Sequence, residues 1–238
     1  MSVYALSDLH GVIDLYHQIK EFLKPEDKVY FLGDAGDRGP HSWETIKAIY
    51  NDEQFIYLKG NHELMLTQAM KESYNYEFGI GHYYNLLCYN GGRPTFEDWQ
   101  ALNYEEQIEW YNKLTNLPVK EEFINNMGDK IILTHAGFTY TKENEYPDNY
   151  ELVWDREHIV DDLLESKIIN NVIVVHGHTP IPHLAKSICE ESTTGALWYC
   201  HDSKVCIDNG SFATGIACLL DLNTFEEHIF QTNKLKLF

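Results

Sequence analysis

Five short apolar runs in this chain each end in a side chain that can bind a metal ion: Asp8, Asp34, Asn61, His135 and His178. Asp and Asn are common turn residues, so one such end would carry no meaning. Five of them, mixing carboxylate, amide oxygen and imidazole, make a donor set suited to hard or borderline divalent ions such as Mn, Fe or Zn. Local spacing sharpens this. Asp8 and His10 are two residues apart, which points both side chains to one side if the strand continues. The segment GDAGDRG (33–39) puts Asp34, Asp37 and Arg38 into one glycine-rich loop, where backbone can approach a ligand closely. GNHE (60–63) then sets Asn61 directly beside His62.

These residues need strands to carry them. Residues 2–8 read as a short buried strand. Residues 11–23 read as an amphipathic helix, with Val12, Leu15, Tyr16, Ile19, Phe22 and Leu23 on one face. Lys28 to Leu32 and Phe55 to Leu58 read as further strands, separated by a helix that follows Pro40 and runs through Ile46 and Ile49. Strands alternating with helices predict βαβ units in a mostly parallel sheet. In such sheets functional groups gather outside the carboxyl ends of the strands.

From about residue 64 to 128 the pattern turns helical and aromatic (Tyr74, Tyr76, Phe78, Tyr83, Tyr84, Tyr89, Trp99, Trp110, Tyr111), with a Gly91-Gly92 break. This insertion reads as a small subdomain with its own aromatic core, or as a cap whose aromatics line a substrate groove. Strand signals return at 131–134, 172–175, 205–207, 216–220 and 228–230. The closing run has little helix between strands and predicts antiparallel additions. With no repeat and no linker, the chain reads as one domain over 1–238 carrying a helical insertion.

Composition narrows the partners. The 238 residues hold 18 Lys+Arg against 37 Asp+Glu, a net charge of −19, and 44% of them are hydrophobic. A core of good size is available, and disorder is excluded. The acidic balance argues against nucleic acid and against an anionic membrane surface. A phosphate substrate stays compatible, because a bound metal can reverse the local sign. No window approaches a membrane span, and the N-terminus lacks a basic n-region and an apolar h-region, so the expected location is cytoplasmic. The five cysteines (Cys88, Cys189, Cys200, Cys206, Cys218) read as reduced thiols. A zinc site from Cys189, Cys200, His201 and Cys206 matches no zinc spacing.

The ordered blocks SDLHG (7–11), GDAGDRG (33–39), GNHE (60–63), HAG (135–137) and HGHTP (176–180) resemble the signature of the calcineurin-like metallophosphoesterases. Within that family they resemble its phosphoprotein phosphatase branch, of the bacterial serine/threonine type. The resemblance implies an α/β fold, a sandwich of two β-sheets flanked by helices, and a centre of two divalent ions, Mn²⁺ ahead of Fe or Zn. It implies that Asp8 and His10 hold one metal, that Asp34 bridges, and that Asn61, His135 and His178 hold the other. His62 would be the general acid, oriented by Asp37. Arg38 would grip phosphate oxygens, and Arg156, in the segment Trp154-Asp155-Arg156-Glu157, would be the second phosphate-binding arginine. Two such metals can deprotonate a bridging water for in-line attack on phosphorus and neutralise both attacking and leaving oxygens.

Two positions depart from the family pattern, Ser7 where Gly is usual and Gly36 where an aliphatic residue is usual. His176, two residues before His178, could exchange with it as ligand, but the family's metal histidine immediately precedes Thr, which favours His178. His17, His41, His82, His158, His183, His201 and His228 read as surface or satisfied core groups, and Glu105-Glu106 and Asp161-Asp162 as solvated helix faces.

Asn90-Gly91-Gly92 with Thr95, and Leu117-Pro118, resemble the insertion of bacterial protein phosphatases, which points to phosphoserine or phosphothreonine in proteins. A dinucleoside tetraphosphate hydrolase with the same centre is the alternative, since the aromatic insertion could stack adenine. A binding module that lost the chemistry is disfavoured by retention of every expected ligand. A nuclease is disfavoured by the absence of a basic stripe.

Overall fold

Alternation within the first strand sets the layering of the molecule. In β1 (Val3–Leu6), Val3 and Ala5 enter one apolar cluster while Tyr4 and Leu6 enter another, as the two-residue period of a strand requires. The computed structural model describes residues 1–75, 81–138, 149–156, 159, 171–188, 190–191, 194–200 and 202–232. The chain continues through α1 (Ile13–Phe22), β2 (Lys28–Phe31), α2 (Ser42–Asn51) and β3 (Phe55–Tyr57). Then come α3 (Asn61–Asn75), α4 (His82–Tyr89), α5 (Arg93–Gln100) and α6 (Tyr104–Thr115). The second half holds β4 (Lys120–Ile124), β5 (Lys130–Thr134), α7 (Asn149–Trp154), β6 (Val172–His176), α8 (Ile181–Ser187) and β7 (Leu197–Tyr199). It ends with β8 (Lys204–Cys206), α9 (Ser211–Thr214), β9 (Ile216–Asp221) and β10 (Glu227–Gln231).

Among the described residues the strands form two five-stranded sheets, ordered β10-β9-β1-β2-β3 and β4-β5-β6-β8-β7. In the first, β1, β2 and β3 are parallel, and β9 and β10 add antiparallel. In the second, β5, β6 and β8 are parallel, with β4 and β7 antiparallel at the edges. This is the two-sheet α/β sandwich flanked by helices that the resemblance implied.

The strands depart from the sequence reading at three places, two in number and one in direction. β4 lies inside the stretch read as helical to residue 128. Its sequence, KEEFI, is a half-exposed edge strand without the apolar run that marks a buried one. β7, only three residues long, was likewise not foreseen. β8 pairs parallel with β6, although the closing strands were expected to be antiparallel. The excursion through α8 and β7 supplies the crossover that parallel neighbours need.

Between the sheets, Val3, Ala5, Leu32 and Leu58 meet Ile131, Leu133, Val175 and Val205. On the outer face of the first sheet, Tyr4, Leu6 and Phe31 pack under α1 (Leu15, Ile19), α2 (Ile46, Ile49) and α3 (Met65, Leu66, Met70). Phe96, Trp99 and Trp110 of the helical stretch belong to this same cluster. The Trp110 ring lies 5.2 Å from Trp43 and 5.4 Å from Tyr50. The helices therefore share the first sheet's core instead of building one of their own. Tyr89 is 90% exposed.

Asn103 and Glu106 close a capping box on α6, so Glu106 caps a helix start as well as facing solvent. Tyr76, Phe78, Asp161, Asp162, Cys189 and His201 lie outside the described residues. Cys88, Cys200, Cys206 and Cys218 are free thiols. Among the described residues no helix is long and apolar enough to cross a membrane.

Candidate metal centre

Each expected ligand follows a strand. The parallel pairing of β1 and β2 runs past their ends through Asp8 N–H to Gly33 O (3.1 Å), His10 N–H to Asp34 O (3.0 Å) and Gly11 N–H to Ala35 O (2.8 Å). In the second sheet Gly177 N–H reaches His135 O at 2.8 Å. Two bonds then tie the pieces together. His178 N–H donates to Asp8 Oδ2 at 3.0 Å across the two sheets, and His62 N–H donates to Asp34 Oδ1 at 3.0 Å. Asp8, His10, Asp34, Asp37, Arg38 and His178 all hold left-handed backbone, with φ between 45° and 67°. For non-glycine residues each such conformation costs on the order of 1–3 kcal/mol, and surrounding packing has to hold it.

Asp34 stands at the middle. Its Oδ2 is 3.4 Å from His135 Nε2, 3.6 Å from His10 Nε2 and 3.9 Å from His62 Nε2. Asn61 Oδ1 lies 2.9 Å from both His135 Nε2 and His178 Nδ1, and those two ring nitrogens are 3.1 Å apart. Two groups of donor atoms result, each within 4.8 Å: His10, Asp34 and His62, and Asp34, His135 and His178. Asp34 belongs to both. The first group contains His62 where the resemblance implied Asp8. Asp8 Oδ1 stands 3.8 Å from His10 Nε2. All of these side chains are buried.

The chemistry of the donor set fits divalent cations. His135 Nδ1 donates to Leu32 O (2.8 Å) and His10 Nδ1 to Gly36 O (2.9 Å), which turns the Nε2 atom of each ring inward. Ring nitrogens of His135 and His178 thus converge with the oxygens of Asn61 and Asp34, and a metal entering there would displace the proton that the nearby carboxylates favour on His135. Buried His178 Nε2 has no hydrogen-bond partner among the described residues. The Arg38 guanidinium stands as a cation against the same face, 2.8 Å from His10 Nε2 and 2.9 Å from His62 Nε2.

Electrostatics separate the histidines. Burial, then His62 and Arg38, hold His10 well below its ordinary pKa, and burial, His135 and Arg156 do the same to His178. Both rings are neutral, the state a ligand needs. Burial also pulls on His135, but Asp34, Asp8 and Glu63 outweigh it and push it up to about 9. His62 is raised as well, because Asp34 and Asp37 overcome its burial. Burial acts to raise Asp34, yet His135, His62 and His10 hold it well below the usual carboxylate range. Asp8 is raised by burial, against the pull of His135.

Beside this cluster, His62 Nδ1 is 2.6 Å from Asp37 Oδ2. Arg156 donates from Nε to Thr179 Oγ1 at 3.0 Å and from an Nη to His178 O at 3.4 Å. Arg38 and Arg156 are exposed, and both line a cavity of about 490 Å³. Ten residues were expected at the site, and the structure brings all ten to one end of the two sheets. His176 faces elsewhere: its Nε2 meets the Tyr199 hydroxyl at 2.7 Å, and its Nδ1 meets Gly177 O at 3.0 Å.

The sequence profile of the calcineurin-like phosphoesterase family matches residues 1–211. The chain belongs to that family. Serine/threonine-protein phosphatase 2 of Escherichia coli K12 is 30% identical to it over 168 residues, 68% of this chain and 71% of that protein. The asymmetrical bis(5'-nucleosyl)-tetraphosphatase PrpE of Geobacillus sp. WCH70 is 27% identical over 155 residues, 58% of each chain. Among solved structures, a metallophosphoesterase from Sphaerobacter thermophilus shares the fold with a TM-score of 0.59 at 11% identity, covering 99% of this chain and 89% of that one. As a calcineurin-like phosphoesterase, the chain is a hydrolase of a family that uses divalent metal ions, and its His and Asp groups are positioned for them.

Several residues that build this phosphoesterase's centre escaped the sequence reading. Glu63 is one. Its Oε2 accepts from Asp34 N–H and Gly60 N–H, both at 2.8 Å, and its Oε1 from Ala35 N–H (3.0 Å) and the Tyr57 hydroxyl (2.7 Å). It clamps the loop carrying Asp34 to the loop carrying Asn61. Ser7 is another, its hydroxyl donating to Asp8 Oδ2. Gly36 is matched by Ile46, whose Cδ1 would stand 2.6 Å from an added Cβ, so α2 fills the space an aliphatic side chain would take. Asp208 is buried just past β8, where burial and Asp8 hold it well above the usual carboxylate range. Its place after a strand was the available signal, the same one that marked the five expected ligands. Of the remaining histidines, His17, His41 and His82 are exposed, His228 packs against Tyr4 and Phe22, His158 lies outside the described residues, and His183 lines the cavity.

Proposed function

We propose that this phosphoesterase removes phosphate from phosphoserine and phosphothreonine in proteins. In this reading Asp8, His10 and Asp34 would hold one divalent ion, and Asp34, Asn61, His135 and His178 would hold a second. Mn²⁺ is the preferred metal, ahead of Fe or Zn. The observation that carries the reading is the convergence of potential ligand atoms on Asp34, with two exposed arginines and a His62–Asp37 pair beside them. The Escherichia coli phosphatase relative and the Asn90-Gly91-Gly92 turn support the protein substrate. Free thiols at the four described cysteines support a cytoplasmic setting.

When bound, divalent ions supply Lewis-acid charge and lower the pKa of water at neutral pH. The protein's own groups do the rest. Arg38 and Arg156 offer planar forks to the phosphoryl oxygens. Phosphoryl oxygens are stronger acceptors than the imidazole nitrogens that Arg38 now contacts, so substrate draws the guanidinium off His62 Nε2. That nitrogen is then free to hold a proton for the leaving oxygen. Asp37 keeps the ring oriented through Nδ1 and stabilises its charged form.

Metal-stripped protein assayed on p-nitrophenyl phosphate, a phosphoserine peptide and diadenosine tetraphosphate tests this. Activity on the two monoesters appears with Mn²⁺ and vanishes with EDTA. Silence with each of Mn²⁺, Fe²⁺, Co²⁺ and Zn²⁺ overturns the phosphomonoesterase reading. The similarity to a bis(5'-nucleosyl)-tetraphosphatase supports a second reading, hydrolysis of a dinucleoside tetraphosphate, and a preference for the dinucleotide would decide for it.

A further inference from the structure

The cavity beside the metal-binding residues is larger than the reaction at phosphorus requires. It encloses about 490 Å³. A phosphoryl group has the bulk of a few water molecules, each about 30 Å³, so most of that space belongs to the rest of the substrate. Arg38, Arg156 and His178, the groups assigned to metal and phosphate, line part of it, with Ile159 and Thr179. The rest of its described lining is Pro180, His183 and Ser187.

Those three residues are spaced by three and four, which stacks them along one face of α8. The opposite face is anchored. Ile181, Leu184 and Ala185 are buried in a cluster with Leu197, Tyr199 and Cys206, and Ile181 N–H donates to Asp208 O at 2.8 Å. Only Thr179 and Pro180 separate the helix from His178, so the wall is rigidly coupled to a metal-binding residue. His183 is exposed, and its ring makes no hydrogen bond among the described residues. Ser187 Oγ donates to His183 O at 3.0 Å, which leaves its lone pairs available. In a chain of net charge −19, none of the described residues lining this cavity is a carboxylate.

We infer that the exposed face of α8 is the leaving-group subsite, and that His183 is a specificity-determining residue that donates a hydrogen bond to an acceptor oxygen on the leaving group. The inference rests on the phosphomonoesterase reading and deepens it. With a phosphopeptide the acceptor is a main-chain carbonyl beside the phosphorylated residue. p-Nitrophenol, short and flat, carries no such group next to its ester oxygen.

The test is steady-state kinetics of the full-length Mn²⁺-loaded protein and of H183A, H183N and S187F on p-nitrophenyl phosphate, a phosphoserine peptide and diadenosine tetraphosphate. H183A raises KM for the peptide about five- to tenfold relative to its effect on p-nitrophenyl phosphate, the loss expected for one hydrogen bond, with kcat changed far less. H183N, which keeps a donor, recovers most of that ratio. S187F, which fills the cavity, raises the same ratio further. The Kd of a non-hydrolysable phosphonate peptide, read by calorimetry, moves with KM. Parallel changes on peptide and p-nitrophenyl phosphate, or no change on either, overturn the subsite. Wild-type turnover of the dinucleotide without turnover of the peptide overturns the protein phosphatase reading instead, and the KM ratio taken with the dinucleotide then decides the subsite.

Discussion

Gly92 sits directly against Asp37: a Cβ on the glycine would stand 2.7 Å from the Asp37 Oδ2 that accepts from His62. The same Cβ would stand 2.3 Å from Leu87 Cδ1. The glycine's φ is −91°, which alanine adopts freely, so only the missing space demands glycine here. Next to it, Gly91 O accepts from Arg38 N–H at 3.1 Å. The α4–α5 turn is therefore the support on which the Asp37-Arg38 loop rests. Gly92→Ala forces Leu87 or Asp37 to move, at a cost of about 1–3 kcal/mol. The expected outcome is a lower melting temperature together with a fall in kcat on p-nitrophenyl phosphate. Loss of stability with kcat intact would show that Asp37 need not be held in place.

His62→Asn removes the imidazole and keeps a polar group of smaller size. Turnover of alkyl phosphates, whose leaving oxygen needs a proton, falls about 10²–10⁴-fold. p-Nitrophenyl phosphate, with its better leaving group, suffers less. Mn²⁺ binding by calorimetry persists through the other donors. Equal losses on both substrates would remove His62 from proton transfer.

Glu63→Gln keeps the shape but replaces one acceptor oxygen by a donor. Each Glu63 oxygen accepts from two groups, so the amide nitrogen faces at least one backbone N–H whichever way it turns, and only the Tyr57 hydroxyl can reverse to accept from it. The loops carrying Asp34 and Asn61 lose their common clamp. Metal affinity is expected to drop about 10- to 100-fold, as for other groups that orient ligands. Mn²⁺ titration read by calorimetry measures it, and an unchanged Kd would reduce Glu63 to a stability role.

Away from the centre, Asp52 joins α1 to the end of α2. It accepts from Lys20 at 2.6 Å, Tyr16 at 2.9 Å and Gln54 N–H at 3.0 Å. Burial acts to raise Asp52, but Lys20, the Gln54 amide and Tyr16 hold it below its ordinary value. A carboxylate depressed in the folded state stabilises the fold above its unfolded pKa, about 3.9, and that contribution is lost as pH falls through the lower folded value. Asp52→Asn should therefore cost about 0.5–1 kcal/mol at pH 7, the range for a partly exposed pair. The gap to wild type should shrink below about pH 4 in urea melts. A gap that stays constant down to pH 3 would show that the charge of Asp52 contributes nothing.

The donor types were legible in the chain because each lies within four residues of the end of an apolar run, and a strand end is a local property. The layered α/β fold was legible for the same reason, from strands and helices alternating at regular spacing. Where that signal was weak, the reading failed. β4 is written as Lys120-Glu121-Glu122-Phe123-Ile124, an edge strand facing solvent, and its charges hid it. Aromatics from Phe96 to Trp110 looked like a separate core because only tertiary contact shows them beside Trp43 and Tyr50.

What the sequence determined by itself is which residues are candidates for the chemistry: Asp8, His10, Asp34, Asn61, His135 and His178 as expected metal donors, and Asp37, Arg38, His62 and Arg156 beside them. Which nitrogen of a histidine faces inward was decided only by tertiary structure. The carbonyl that orients His135 belongs to Leu32, 103 residues away, and the amide held by Asp8 belongs to His178, 170 residues away. The clamp at Glu63, the support at Gly92 and the α8 wall are likewise meetings of distant segments. A residue's chemistry is encoded at its own position, but its tautomer, its strain and its neighbours depend on packing between strands that the chain order keeps apart.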